Sequence, residues 1–143
     1  MSTFLYDLEA GIVAAITADP DVAGITVTTS QTDEVKDTLS AFVALEHSRE
    51  VVAGSRIFIL DGNLALRINR SQYSAEEAAA AVQNLTAALL NAPTGANGFD
   101  VFSNGSAKSI GFVMGPHNTN YKDEVELHVF SFKIWAFQLQ PVP

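Results

Sequence analysis

Apolar side chains recur at helical spacing near the start of the chain. Leu5, Leu8, Ile12 and Ile16 form one stripe, and Thr3 stands where a cap is needed for a helix beginning at Phe4. The following ADPDVAG combines a helix-disfavouring proline with turn formers, so the helix stops there. ITVTTS then reads as a strand, because β-branched side chains accept extended backbone at low entropic cost. Residues 32–38, TDEVKDT, predict a polar connection. LSAFVALEH fits a helix or a strand, and Phe42 and Ala44 with their polar flank favour the strand.

From Arg56, RIFILDGNLALRIN contains two β-prone halves around Asp61-Gly62, a pair suited to a hairpin turn or a bulge. In the second half Leu64, Leu66 and Ile68 alternate with Ala65, Arg67 and Asn69, which predicts a strand with an Arg67 face toward solvent or a partner. Ser74 and Glu77 have capping-box spacing. The alanines after them, with Val82, Leu85, Leu89 and Leu90, predict a second helix to about Asn91. Pro93 and the glycines of TGANG end it. Phe99, Val101 and Phe102 then suggest a new β region, NGSAKSIGFVMG a turn, strand and turn, and HNTNYKDE a polar loop.

The closing VELHVFSFKIWAFQL changes phase. Val125, Leu127 and Val129 share one parity, whereas Phe130, Phe132, Ile134 and Ala136 share the other. A bulge, a sharply twisted strand or burial on both faces accounts for the change, and Trp135 and Phe137 supply apolar surface beyond the needs of a solvated outer face. The predicted fold is α+β: a single domain, residues 1–143, with a mixed or antiparallel β-sheet flanked by two principal helices.

Composition narrows the function classes. The 143 residues are 48% hydrophobic and 17% charged, enough apolar content for a core. Sixteen acids against eight bases give a net charge of -8, which opposes general adhesion to nucleic acid or anionic membrane. The acidity is concentrated, with ten acids and three bases in residues 1–61 against six and five in residues 62–143. Without cysteine there is no disulfide, thiolate nucleophile or cysteine-bound metal, and the redox compartment stays open. Asp7 and Glu9 interrupt the amino-terminal apolar stretch, so no export signal is expected. No run approaches the length of a bilayer-spanning helix.

Catalytic chemistry is poorly specified. His47, His117 and His128 form neither HxH nor HExxH. His128 alternates with apolar residues, a position suited to a bond with an adjacent chain. Glu46-His47-Ser48 has the side chains of a relay, but neighbours in a strand point in opposite directions. Glu76-Glu77 suits the first turn of a helix, and Asp33-Glu34 and Asp123-Glu124 suit solvated loop ends. GPHNTN and TGANG lack the lysine of a phosphate loop, and Asp61-Gly62-Asn63 lacks the ligand series of a calcium hand. Arg56, Arg67 and Arg70 are candidates for a positive face meeting the acidic amino-terminal region of another copy.

FLYDLEAGIVAAITADPDVAG, LSAFVALEHSREVVAG, LALRINRSQYSAEEAAAAVQNLTAALLN and VELHVFSFKIWAF follow one another in an order that resembles small tail-terminator or tail-completion proteins of tailed bacteriophages. The resemblance spans about residues 4–137 and leaves an extra mobile loop near 115–123. It implies a homo-oligomer, commonly a hexameric ring, that caps the tail tube and contributes to the head-tail junction. It also implies tail-tube and neck or connector partners, DNA in a central passage, no membrane, no cofactor or metal and no catalytic residues. The place implied is the virion tail or head-tail junction, with assembly in the host cytoplasm. Neck connectors and tail-tube proteins are built from similar small sheet-rich subunits. Candidate interface residues are Arg56, Arg67, Arg70, His128, Phe130, Phe132, Trp135 and Phe137. A small-ligand binder or acid-base enzyme is the contrasting reading, and it requires Glu46, His47, Asp61 and His128 to meet in one pocket.

Overall fold

The computed structural model describes residues 4–29, 39–96 and 98–139, without the side chains of His47 and Ser48. The expected Thr3 cap and the 32–38 connection lie outside the described residues. Helix α1 (Phe4–Thr17) leads through a 3-10 turn (Pro20–Val22) to β1 (Thr26–Thr29), β2 (Leu39–Glu50), β3 (Ile57–Asn69) and helix α2 (Ala75–Asn91). Two further 3-10 segments, Ala92–Thr94 and Gly98–Phe102, precede the hairpin of β4 (Ala107–Lys122) and β5 (Val125–Gln138). The sheet order is β1-β2-β3-β5-β4, with β1 parallel to β2 and the other neighbours antiparallel. The fold is thus α+β, a mixed sheet with two principal helices.

Both helices bury one stripe in a common core. In α1 the stripe is Phe4, Leu8, Ile12 and Ile16; in α2 it is Ala78, Ala81, Leu85, Ala88 and Leu89, while Leu90 is exposed. Gly11 lies against the backbone of Phe102, where any side chain would collide, so it sets how closely α1 approaches the last 3-10 segment. The predicted capping box at α2 is present: Ser74 Oγ accepts from Glu77 N–H at 3.1 Å, and the Glu77 carboxylate accepts from Ser74 N–H at 3.0 Å. From the sheet, Ala41, Val43 and Leu45 of β2, Leu60, Leu64, Leu66 and Ile68 of β3, and Phe130, Phe132, Ile134 and Ala136 of β5 complete the core. Each large side chain so buried contributes about 1.5–3 kcal/mol of transfer free energy.

Four expectations are corrected. The chain does not turn at Asp61-Gly62: β3 pairs with β5 without a break from Ile57↔Phe137 to Asn69↔Val125. Gly62 is needed there because the ring of its cross-strand partner Phe132 occupies the place of a β-carbon. Asp61 is held by its own partner, Lys133, at 3.2 Å. Phe99, Val101 and Phe102 form a 3-10 segment rather than a strand. The polar stretch HNTNYKDE is no loop, since β4 runs to Lys122 and reverses at Asp123-Glu124, whose φ angles of 54° and 65° match a two-residue hairpin turn. Finally, β5 has no phase change in its backbone. Its even-numbered positions face the core from His128 to Ala136, and the register irregularities fall in β4, between Ser109 and Gly111 and between Met114 and His117. A third irregularity lies in β2 between Glu46 and Arg49.

Candidate functional site

The strand alternation that buries one sheet face leaves another row of side chains on the reverse. Register places Phe42, Ala65 and Val129 side by side there, then Glu46, Asp61 and Lys133, then Ile59 with Trp135, and Ile57 with Phe137. Both helices direct their buried residues to the opposite face, so among the described residues this row is covered by its own neighbours in the sheet. Phe42 is 46% exposed and Val113 48%, while Ile57, Ile59, Val129, Trp135 and Phe137 are half-buried. Trp135 lies over Gly111 at the first β4 irregularity. Arg67 projects from this face, exposed, between its register partners Ser40 and Leu127. A shallow cavity of about 310 Å³ opens beside the second β4 irregularity, lined by Asn63, Val113, Met114, Pro116 and the Asp61–Lys133 pair.

Beyond Gly115, β4 and the start of β5 extend as a polar arm. Residues 115–124 are exposed throughout, and Tyr121 is 59% exposed. The inner side of the arm's base brings together residues far apart in sequence. His117 Nε2 stands 3.0 Å from His128 Nδ1, and Thr119 Oγ1 is 3.3 Å from the former and 3.2 Å from the latter. The His117 ring stacks on Phe130 with centroids 4.3 Å apart. His128 Nε2 is buried 3.5 Å from Glu126 Oε1, at the limit of hydrogen-bonding reach, and Glu126 Oε2 holds Arg70 Nη1 at 3.1 Å. Burial is the main influence on the His128 imidazole and lowers its pKa; Glu126 opposes that shift and His117 adds to it.

The candidate residues therefore separate. Trp135, Phe137 and Arg67 are on the open face, whereas Phe130 and Phe132, 2% and 3% exposed, belong to the chain's own core. Arg56, at the far end of β3, donates to the carbonyls of Gln138 and Leu139 and so anchors the end of β5. Arg70 is engaged with Glu126 and with the Tyr73 carbonyl. The three arginines make no common positive face. Glu46 and Asp61 are register partners on the open face, and His128 belongs to the other, so these residues of the acid-base reading do not share a pocket. Among the described residues no three His, Cys, Asp or Glu side chains gather to hold a metal.

No family model and no curated protein matches the sequence. Its fold is similar to that of a chain in the virion of a native gene transfer agent (GTA) particle, with a TM-score of 0.63 over 92% of this chain and 96% of that one, at 13% identity. The two share a fold. A second solved chain, 14% identical over 96% of this chain and 94% of its own, aligns at a TM-score of only 0.46.

Two features were not read from the sequence. Glu9, 2% exposed, reaches from α1 to accept the Leu45 N–H at 3.0 Å, two residues beyond Val43, the last β2 partner of β1. A carboxylate thus satisfies a backbone donor of β2 beyond its described pairing with β1. Its only sequence signal is an acid beside the apolar stripe of α1. The meeting of His117 and His128 is the other, and it follows from a register that appears only once HNTNYKDE is recognised as a hairpin.

Proposed function

We propose that this chain is a structural subunit of a virion, forming a ring that caps the tail tube and contributes to the head-tail junction. The observation that carries the reading is the near end-to-end likeness of its fold to a chain of a gene transfer agent virion. The open sheet face supports it independently, because half-buried Trp135 and Phe137 gain further burial against another molecule. In a ring of identical subunits this face, with Arg67 at its edge, packs on a neighbour, and closed symmetry adds weak contacts into a stable whole. A net charge of -8 suits a passage for DNA, since an acidic wall does not retain the phosphate backbone. The role is one of assembly and requires no reaction.

Size-exclusion chromatography with light scattering across protein concentrations, followed by negative-stain imaging with purified tail tubes, tests this. The expected result is a closed ring, seen as density on the end of a tube. A chain that stays monomeric at every concentration overturns assembly. Density only on the portal-facing neck overturns tube capping in favour of a connector, and polymerised tubes overturn it in favour of a tail-tube subunit.

A further inference from the structure

The base of the polar arm carries a donor set that the assembly reading does not use. Three atoms from two strands converge, His117 Nε2, His128 Nδ1 and Thr119 Oγ1, with separations of 3.0, 3.2 and 3.3 Å. Ligands of a tetrahedral zinc ion, each about 2.0–2.1 Å from the metal, stand about 3.3 Å from one another. The triangle therefore has nearly the dimensions of one face of such a polyhedron. His117 and Thr119 are exposed, so an ion has access from solvent and the His117 ring can turn to direct its lone pair.

The second nitrogen of His128 strengthens this assignment. Nε2 is buried, the His128 side chain is 9% exposed, and the nearest acceptor is Glu126 Oε1 at 3.5 Å. A carboxylate on that side favours the proton on Nε2 and leaves Nδ1 as a lone pair facing His117 and Thr119. Arg70 in turn fixes Glu126 from its other oxygen. Carboxylate, imidazole and donor triangle are thus arranged as in a metal-binding histidine with its supporting shell.

We propose that His117, His128 and Thr119 form the protein side of a site for one divalent transition-metal ion of the zinc type, with Glu126 and Arg70 orienting His128. Two neutral imidazoles and a hydroxyl select ions that accept nitrogen ligands, such as zinc or nickel, over magnesium or calcium, which demand oxygen ligands. Water completes the coordination. The bound ion clasps β4 to β5 at the root of the arm.

The test is zinc titration by calorimetry of the full chain, treated with chelator and carrying no added histidine tag, with magnesium as the control ion. The expected result is saturable uptake of one zinc per chain and none of magnesium. Affinity falls at least about tenfold in H117A and is kept in H47A. His117 is exposed, so H117A folds, and circular dichroism confirms that. As a second readout, zinc raises the melting temperature of the parent chain and leaves that of H117A unchanged. Absence of saturable zinc uptake by the parent, or equal affinity in H117A, overturns the site.

Discussion

Along β5 the even-numbered Phe130, Phe132, Ile134 and Ala136 are 0–3% exposed, while the odd-numbered Val129, Trp135 and Phe137 are half-buried and Leu127 is 36% exposed. One strand therefore presents two apolar faces with different coverage. The even face receives the helices; among the described residues the odd face receives its neighbours in the sheet. The comparison shows that a strand's hydrophobicity does not reveal which face the chain covers for itself. Nor does a change of hydrophobic parity require a change in the backbone. At the start of β5 the inward positions are Glu126 and His128, whose polar contacts are with Arg70 and, through Nδ1, with His117 rather than with the helices. Polar residues thus occupy the inner face and apolar ones the outer, and the pattern inverts while the pleat continues.

The most severe break of this comparison is at the centre of the covered face. Phe130 is buried between the Leu64 register position and the ring of His117. Phe130→Ala removes that packing and leaves a cavity, so chemical denaturation is expected to show a loss of about 3–5 kcal/mol. A loss below about 1 kcal/mol contradicts the division into a covered and an open face.

What could be read in advance follows the same division. Where one face of an element is buried, its sequence carries a period, and α1, α2 and the second half of β3 were legible for that reason; β1 was legible from its β-branched residues, and β2 was favoured as a strand on Phe42 and Ala44, although its buried residues are Ala41, Val43 and Leu45. The Ser74–Glu77 box was legible because capping needs only three-residue spacing. In HNTNYKDE both faces are solvated, so alternation disappears and a strand resembles a loop. Asp61-Gly62 has the composition of a turn, and what makes it a strand, the Phe132 ring across Gly62 and Lys133 beside Asp61, comes from residues some 70 positions later. As to the site, Trp135, Phe137 and Arg67 were legible as surface candidates. The fates of Phe130, Phe132, Arg56 and Arg70 depended on register and long-range pairing, which local pattern does not contain.

An intermediate effect is expected from Glu9, a carboxylate buried with the covered face. Glu9→Ala takes away the acceptor of the Leu45 N–H and leaves a buried donor. The expected cost is about 1–3 kcal/mol, measured by denaturation. Glu9→Gln keeps an acceptor oxygen at that position, so it is expected to lose less than Glu9→Ala. Equal losses in the two variants assign the effect to the charge of Glu9 rather than to the satisfied N–H.

The smallest effect on the subunit, and the sharpest on the comparison, is expected at Trp135. Its indole lies over Gly111 beside Ile59 on the open face and fills no enclosed core space. Trp135→Ala should therefore lower subunit stability by only about 1 kcal/mol. Loss of a large aromatic anchor from a contact between copies commonly costs about 2 kcal/mol or more in association. Light scattering of W135A, beside its denaturation curve, reads both quantities on one protein. A monomer of nearly parental stability separates the work of the two faces of β5: the even face holds the subunit together and the odd face holds it to its neighbour. A variant that assembles as the parent does removes Trp135 from the interface and leaves Phe42, Phe137 and Arg67 to carry it.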